Sequence, residues 1–251
     1  MLSGCTAILL CAGEGTRIRD VTRGPKCLLP VAGKPIIQHQ LDSLQLVGVE
    51  DVVIVTGHQA DFLQQSVNDF RPEQAVRFIE KLDFQTMGNS HSLLTGLKAA
   101  AGPVIIFDGD LMFAPELLAE FLQDPRSAFL VGRGRIDDWE CAKALADADG
   151  YLRKLVDKRL LTAAELRQYQ FAGEALGIIY LDDAHRASLI TAAERFLCEP
   201  ANHLKNWEHL FSEFLPNHAV AAQLTTSTRW IEIDTAEDYR AAQALFAPDG
   251  A

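Results

Sequence analysis

The first half of the chain alternates short apolar runs with amphipathic segments of helical length. The runs that predict strands are CTAILLC (5–11), DVVIVTG (51–57), AVRFIE (75–80) and PVIIFDGD (103–110). The segments that predict helices are residues 35–47, 59–68, 90–101 and 115–123. Because apolar runs are typical of strands buried on both faces of a sheet, this alternation predicts an α/β fold with a mostly parallel sheet flanked by helices.

After Ser127 the predicted strands become shorter, and some of them are expected to run antiparallel. These strands are SAFLVGRG (127–134), CAKALAD (141–147), GYLRKLVD (150–157), EALGIIYL (174–181), AVAAQLTT (219–226) and RWIEID (229–234). Helices are predicted at about 183–197 and 205–215, and Thr235 is expected to cap a final helix. Since no repeat or linker interrupts the chain, we expect a single domain over residues 1–251.

Composition narrows the class of partner. Hydrophobic residues make up 48% of the 251 residues, which is enough to bury a sizeable core. The formal net charge is −11, whereas a protein that binds duplex nucleic acid usually presents a basic face. We therefore expect no nucleic-acid partner, and we interpret local positive charge as a site for a small anionic ligand.

The cysteines and the lengths of the apolar runs predict a cytoplasmic protein. Cys5, Cys11, Cys27, Cys141 and Cys198 are odd in number and widely spaced, and no C-x-x-C occurs. This pattern predicts reduced thiols rather than a disulfide framework or a zinc site. No apolar run approaches the roughly 18 residues that cross a membrane, so we expect neither export nor membrane insertion.

A basic, glycine-containing loop, AGEGTRIRDVTRGPK (12–26), follows the first predicted strand. Ligands of open α/β sheets bind at the carboxyl ends of the strands, and glycine lets backbone N–H groups close around a phosphate. The loop is not a dinucleotide fingerprint, because Ile18 stands where a third glycine is needed, and no P-loop spacing is present. It predicts a triphosphate site, with a solvated basic surface loop as the alternative.

The stretch AILLCAGEGTRI…GPKCLLPVAGKPIIQHQLDSL (7–44) resembles the signature of nucleotidyltransferases, which join a nucleoside triphosphate to a phosphorylated small molecule. The resemblance implies a Rossmann-like, mostly parallel mixed sheet flanked by helices, of the GT-A-like type. It also implies that Arg17 and Lys26 are catalytic and hold the phosphates. Cys27 stands where a second proline is common, and IRDVTRG departs from the usual loop, so the path of the loop is open.

Two pairs of carboxylates, one near the middle of the chain and one near its carboxyl end, predict a metal site. Asp108 and Asp110 end a predicted strand two residues apart, which puts them on one face if the strand persists. Hard oxygen ligands beside a triphosphate suit Mg²⁺, and an ordinary Asp-Gly turn is the alternative. RWIEIDTAEDY (229–239) resembles the ending of cytidylyltransferases that activate choline phosphate and related phosphonates. The resemblance implies that Asp110, Glu232 and Asp234 bind Mg²⁺, with Asp108 in support.

Further stretches resemble the nucleotide and acceptor segments of the same cytidylyltransferases. MGNSHSLLTGL (87–97) resembles their N-x-x-S-L helix start, although Asn89 alone is also an ordinary helix cap. The full set of residues that we expect to bind the nucleotide is Leu10, Ala12, Gly13, Glu14, Gly15, Thr16, Arg17, Lys26, Asn89, Ser90, Ser92 and Asp108.

The acceptor pocket is predicted from residues of the second half. LRKLVDKRL (152–160) resembles the strand that carries a second active-site lysine, which we match to Lys158, with Lys154 as the fallback. Trp139 and Trp207 are expected to face a quaternary ammonium group by cation–π contact, unless both are packing residues. Glu208 or Asp138 is expected to neutralise an amine. The full acceptor set is Trp139, Lys158, Glu174, Trp207 and Glu208.

Together these segments predict a Mg²⁺-dependent cytidylyltransferase that transfers CMP from CTP to a small phosphorylated or phosphonate headgroup and releases pyrophosphate. Residues 1–125 are expected to form the nucleotide-binding half, and residues 126–251 the acceptor-binding half with the second metal-ligand segment. The alternatives are a sugar-1-phosphate nucleotidyltransferase that uses UTP or dTTP, and a nucleotide-binding regulatory subunit without turnover. The sequence is compatible with a homodimer.

Overall fold

The computed structural model describes residues 4–124 and 126–247. Its strands are β1 (Thr6–Cys11), β2 (Pro30–Val31), β3 (Lys34–Pro35), β4 (Asp51–Thr56), β5 (Ala75–Glu80), β6 (Val104–Asp108), β7 (Leu111–Phe113), β8 (Ala128–Gly132), β9 (Lys143–Ala146), β10 (Leu152–Val156), β11 (Gln170–Leu181), β12 (Ala221–Leu224) and β13 (Trp230–Glu232). Its helices are α1 (Ile36–Leu46), α2 (Ala60–Phe70), α3 (Asn89–Ala99), α4 (Pro115–Phe121), α5 (Ala163–Gln168), α6 (Asp183–Leu197), α7 (Trp207–Phe214) and α8 (Ala236–Leu245).

A mixed sheet of nine strands forms the centre of the fold. Seven of them run in the order β10-β9-β11-β6-β1-β4-β5, while β8 pairs with β11 and β12 pairs with β8. The strands of the first half, β6, β1, β4 and β5, are parallel to one another. The long strand β11 runs antiparallel to β6, β8 and β9. The predicted sheet, with its antiparallel strands in the second half, is confirmed.

Helices cover both faces of the sheet, which explains the apolar runs of the central strands. In β1, Ile8 points into a core with residues of α3, α6 and α7, whereas Leu9 points into a core with residues of α1, α2 and α4. Both side chains are fully buried. Burial on both faces therefore follows from the period-two alternation of side chains along a strand.

Three short elements of the structure lack a counterpart in the sequence prediction. They are α5, β7 and the β2–β3 hairpin. Residues 111–113 fall between the predicted strand, which ends at Asp110, and the predicted helix at 115–123, and three apolar residues are too few to show a strand pattern. Helix α5 begins with a capping box in which Thr162 and Glu165 exchange hydrogen bonds, and this signal is visible in the sequence.

The last part of the chain packs against the loop that follows β1. Ile18 and Leu29 of that region share a third apolar core with Met112 of β7, with Ile233 and with Ala242 of α8. Thr235 caps α8 as predicted, because its side chain accepts a hydrogen bond from the N–H of Asp238. Within residues 4–124 and 126–247, none of the helices is both long enough and apolar enough to cross a bilayer.

Candidate active site

A cavity of about 460 Å³ opens where β1 and β6 end, and it gathers most of the predicted site residues. The predicted residues that line it are Leu10, Ala12, Gly13, Gly15, Thr16, Arg17, Lys26, Asn89, Ser92, Asp108, Asp110, Lys158, Trp207, Glu208, Glu232 and Asp234. The predicted residues outside the lining are Glu14, Ser90, Trp139 and Glu174. The cavity therefore contacts both halves of the chain.

Three carboxylates from distant parts of the sequence meet at one wall of the cavity. Asp110, Glu232 and Asp234 each offer an oxygen atom, and these atoms lie within 4.8 Å of one another. Strand pairing causes the meeting, since β13 pairs antiparallel with β7 and Glu232 lies opposite Leu111. The N–H of Ile233 also donates a hydrogen bond to the carbonyl of Asp110 at 3.0 Å. The geometry brings the residues together as the predicted metal site requires.

Two cations from the loop after β1 reach the same carboxylates. Lys26 Nζ lies 2.5 Å from Asp110 Oδ2 and 2.8 Å from Asp234 Oδ1. Arg17 Nη2 lies 2.5 Å from Asp234 Oδ2. The side chain of Lys26 is only 15% exposed, so its ion pairs with Asp110 and Asp234 are screened far less than a surface ion pair.

The charges in this wall shift one another's proton affinity. Removal from water at the cavity wall, followed by the charges of Asp110 and Asp234, raises the pKa of Glu232 well above its usual range, although the residue as a whole is exposed. Burial and then the charge of Asp110 raise the pKa of Asp108. For Asp234, burial alone would raise the pKa, but the charges of Lys26 and Arg17 hold it below its usual value. If all four carboxylates of this wall are ionised, their charge exceeds what Arg17 and Lys26 neutralise, and the raised pKa values reflect this excess.

The donor set fits a hard divalent cation. Carboxylate oxygens are the preferred protein ligands of Mg²⁺, and three of them converge here. Oδ1 of Asp110 is buried and has no hydrogen-bond partner among the described residues. A buried carboxylate oxygen without a partner is costly, and a bound cation would satisfy it.

The glycine loop takes a left-handed conformation at Gly15, whose φ is 59°. Only glycine adopts this conformation readily, and it starts the short 3₁₀ turn Thr16–Ile18 that carries Arg17. Glu14 lies outside the cavity lining, because its carboxylate binds Arg19 Nη2 at 2.6 Å and the side chain of Gln85 at 2.8 Å. Glu14 therefore links the loop to Gln85 and does not face the cavity.

Asp108 is held by a network that begins at α3. The indole N–H of Trp207 donates to Asp108 Oδ1 at 3.2 Å, and the backbone N–H of Trp207 donates to Asn89 Oδ1 at 2.7 Å. Asn89 does not cap α3, whose cap position is Gly88, and instead satisfies the start of α7. Ser90 is fully buried and donates to the carbonyl of Lys205 at 2.9 Å, which removes it from the cavity.

Gly177 lies behind Asp108 and leaves no room for a side chain. Its φ is +68°, and a Cβ at this position would clash with the Asp108 carboxylate. Gly150 is a matched control, since its φ is +82° and a Cβ there would meet no atom within 4 Å. Gly150→Ala should lower the free energy of unfolding by about 1–2 kcal/mol through backbone strain, and Gly177→Ala should lower it by about 1–3 kcal/mol more because of the clash. Only Gly177→Ala should also lower turnover, by roughly tenfold or more, as steady-state kinetics and denaturant titrations of both variants can test.

The second half of the chain contributes Lys158 to the cavity, but not the fallback lysine. Lys158 lines the cavity, and its backbone is left-handed with φ 42°. Lys154 Nζ instead lies 2.7 Å from Glu165 Oε1, outside the cavity lining. The structure thus favours Lys158 over Lys154 by position.

Lys158 shares the cavity lining with three acidic residues, Asp157, Glu208 and Glu140, which form an acidic patch. The sequence prediction missed Asp157 of this patch and the nearby Asn206. Asp157 and Asn206 line the cavity, and their side chains are hydrogen-bonded at 3.2 Å. Burial, followed by the charge of Asp157, raises the pKa of Glu208 to about 8. Glu208 Oε2 is buried without a hydrogen-bond partner among the described residues. Asp157 precedes Lys158 in the same motif, and Asn206 precedes Trp207, so adjacency was the available signal.

The structure does not bring Trp139 and Glu174 to the cavity. The side chain of Trp139 is 60% exposed, on a loop where Asp138 Oδ1 accepts a hydrogen bond from the N–H of Glu140. Glu140 lines the cavity instead of its neighbour. Glu174 lies in β11, where burial and then the charge of Asp138 raise its pKa to about 6. Trp207 is only 3% exposed, so its indole is mainly a packing group whose N–H reaches the site.

Comparison with known proteins adds to this geometry. CMP-5'-(3-aminopropyl)phosphonate synthase from Streptomyces rubellomurinus is 26% identical over 245 residues, which cover 96% of this chain and 39% of that protein. CTP:phosphocholine cytidylyltransferase from Streptococcus pneumoniae superposes with a TM-score of 0.73 at 19% identity, covering 96% of this chain and 98% of that one. UDP-glucose pyrophosphorylase superposes with a TM-score of 0.75 at 16% identity, covering 95% and 97%.

The chain spans 39% of the length of the phosphonate synthase and 25% of the length of a second relative, the bifunctional protein GlmU from Methanococcus maripaludis. The superpositions, at identities of 19% and 16%, show the shared fold alone. The family model described as "MobA-like NTP transferase domain" matches residues 7–171, which is more than half of the chain. This match confirms the predicted nucleotidyltransferase resemblance and fold, and the chain belongs to the MobA-like NTP transferase domain family.

Proposed function

We propose that the chain is a Mg²⁺-dependent cytidylyltransferase that transfers CMP from CTP to a small phosphorylated or phosphonate headgroup and releases pyrophosphate. The observation that carries the proposal is the contact of Lys26, from the glycine loop, with Asp110 and Asp234 from the two metal segments. Residues 1–125 then supply the nucleotide half, and residues 126–251 supply the acceptor half with the second metal segment.

The reaction needs positioning and charge more than proton transfer. A phosphate or phosphonate oxygen of the acceptor attacks the α-phosphorus of CTP, and the bond from that phosphorus to the pyrophosphate oxygen breaks. The attacking oxygen is already anionic near neutral pH, because the second pKa of a phosphate monoester is roughly 6. No general base is therefore required, and the rate depends on preorganised charge at the site.

The residues of the cavity have separate roles in this reaction. Arg17 and Lys26 neutralise charge on the leaving pyrophosphate, and Lys158 holds the acceptor phosphate. Mg²⁺, when held by Asp110, Glu232 and Asp234, would supply positive charge to the triphosphate oxygens. The backbone of Gly13 and Gly15 lets the nucleotide approach the loop closely.

The acidic patch next to Lys158 supports a cationic headgroup as the acceptor. Glu208, Asp157 and Glu140 line the cavity, and they offer little to a neutral sugar beyond hydrogen bonds. A quaternary ammonium or amine would neutralise them. The named activities of the phosphonate synthase and of the phosphocholine cytidylyltransferase agree with this choice. The sugar-1-phosphate alternative has a structural neighbour in UDP-glucose pyrophosphorylase.

Pyrophosphate release tests the function directly. The purified chain is incubated with Mg²⁺, with each of CTP, UTP, dTTP and ATP, and with choline phosphate, 3-aminopropylphosphonate, inositol 1-phosphate or glucose 1-phosphate. We expect release with CTP and a cationic acceptor. Release with UTP or dTTP and glucose 1-phosphate would establish the sugar alternative instead. Tight CTP binding with no release from any pair would establish the regulatory alternative.

Glu208 predicts how acceptor affinity depends on pH. Its pKa of about 8 means that the carboxylate is mostly protonated at pH 7 and mostly ionised at pH 9. Only the ionised form attracts a cation, so the KM for choline phosphate should fall roughly tenfold as pH rises from 7 to 9, in proportion to the competent fraction. The charge of choline itself does not change with pH. Glu208→Gln should show a KM that is nearly flat over this range, and equal pH profiles for both proteins would contradict the assignment.

A further inference from the structure

Gln40, a residue that carries no part of the proposed chemistry, contacts the turn that presents Asp110. It lies in α1 and is only 1% exposed. Its side-chain amide donates to the carbonyl of Asp108 at 2.9 Å and to the carbonyl of Leu111 at 2.8 Å. These two carbonyls flank Gly109 and Asp110, so one amide group spans the turn between β6 and β7.

Lys26 and Trp207 bind the carboxylates of Asp110 and Asp108, and the other tethers of the turn's backbone are made by backbone groups. The N–H of Gly109 donates to the carbonyl of Leu10 at 3.1 Å, and the N–H of Ile233 donates to the carbonyl of Asp110 at 3.0 Å. Among the residues that the structure describes, Gln40 supplies the only side-chain donors to the carbonyls of this turn. Without the Gln40 amide, each end of the turn would keep its hydrogen bonds to the sheet, but no hydrogen-bonding group would link the two ends.

Gln40 is also connected to the partner carboxylates through the pairing of β7 with β13. Leu111, whose carbonyl it binds, lies opposite Glu232 in that pair. A displacement of Leu111 would therefore change the spacing between Asp110 and Glu232. That spacing matters because the ligand atoms of the trio lie within 4.8 Å of one another.

The chemistry of the contact requires an amide at this position. Both partners are carbonyl oxygens, which only accept hydrogen bonds, so the NH₂ group must face them. The other atom of the amide, Oε1, is then buried without a hydrogen-bond partner among the described residues. An unsatisfied buried acceptor is unfavourable, and packing alone would favour an apolar residue here. The cost is understandable if the two donated bonds serve the site.

We propose that Gln40 is a positioning residue, which fixes the turn from Asp108 to Leu111 and thereby orients Asp110 for the metal–nucleotide complex. The inference rests on the proposed Mg²⁺ site but not on the identity of the base or of the acceptor. Residues that orient metal ligands typically change metal affinity or activity 10–100-fold when they are replaced.

The test replaces Gln40 by methionine, which keeps the size and the helix propensity but donates no hydrogen bond. Gln74→Met is the matched control, since Gln74 is also buried and its amide donates to the carbonyl of Leu41 at 2.7 Å, a contact with α1 that involves no residue of the turn. Calorimetry measures binding of whichever nucleoside triphosphate the wild-type protein binds most tightly, once with Mg²⁺ and once with EDTA, in the absence of acceptor.

The factor by which Mg²⁺ raises nucleotide affinity should be at least about tenfold smaller in Gln40→Met than in the wild type. The affinity of Gln40→Met in EDTA should stay near that of the wild type. Gln74→Met should keep both values. Gln40→Glu provides a second variant of the same size, which lacks the paired donors, and thermal melts verify that each variant is folded. A gain from Mg²⁺ equal to that of the wild type, in either folded Gln40 variant, would overturn the positioning role alone. No gain from Mg²⁺ in the wild type would overturn that role together with the metal site.

Discussion

Lys26→Ala should lower turnover by at least roughly a hundredfold, which is a typical cost of losing one preorganised charge partner in an active site. The expectation follows from its position, because Lys26 Nζ lies within 2.8 Å of carboxylate oxygens of both Asp110 and Asp234. Burial alone would lower the pKa of Lys26, but these two carboxylates raise it above its usual value. The side chain is therefore charged at every pH at which the enzyme is assayed.

The control for this variant is Lys34→Ala. Lys34 belongs to the same basic stretch, but its side chain is 50% exposed and its partner is the surface residue Asp42 at 2.7 Å. Since exposed ion pairs contribute little, Lys34→Ala should keep near-normal turnover. Pyrophosphate release at saturating CTP, Mg²⁺ and acceptor measures both variants. Near-normal turnover by folded Lys26→Ala would remove Lys26 from the catalytic machinery.

The strands and helices of the fold could be predicted because their patterns are local. The predicted strand at residues 51–57 corresponds to β4, and the predicted helix at 183–197 matches the bounds of α6. Strand β4 is visible as one apolar run because it is buried along almost its whole length, whereas α6 is visible because it is a long helix of 15 residues. The exchange of partners by β11, which touches three other strands, could not be predicted, because pairing between distant strands leaves no local pattern.

The site was predicted unevenly for a similar reason. Local motifs named the residues of the glycine loop and the carboxylates, and the structure brings these to one cavity. The meeting of Asp110 with Asp234 depends on the pairing of β13 with β7, which the sequence suggested only through resemblance. Trp139 was chosen for its chemistry, but its loop points the indole into solvent. Residue type alone does not determine the direction of a loop side chain.

Gln40 illustrates what sequence motifs cannot reveal. Its neighbours in PIIQHQLDSL (35–44) predict an amphipathic helix, and glutamine on such a helix is ordinarily a surface residue. In the fold its amide is buried against the carbonyl of Asp108, which lies 68 positions further along the chain. Positioning residues of this kind act through backbone carbonyls, which carry no sequence signal, so only the three-dimensional structure reveals them.

Asp110→Ala should abolish the response to metal and lower turnover by at least roughly a hundredfold. Asp110 touches Lys26 and belongs, with Glu232 and Asp234, to the proposed metal set. Its Oδ1 atom, which is buried without a partner among the described residues, is the group that a cation would satisfy. Losing it removes one of the three carboxylates whose oxygen atoms converge at this wall.

The stability of Asp110→Ala separates a metal role from a structural one. The charge of Asp110 helps to raise the pKa of Asp108 and of Glu232, so its removal relieves repulsion while it deprives Lys26 of one partner. These effects oppose each other, and the melting temperature without ligand should change little. Addition of CTP with Mg²⁺ should raise the melting temperature of the wild type and of the surface control Asp42→Ala by mass action, but should add little beyond CTP with EDTA for Asp110→Ala. An equal Mg²⁺-dependent rise in all three proteins would exclude Asp110 from the metal set.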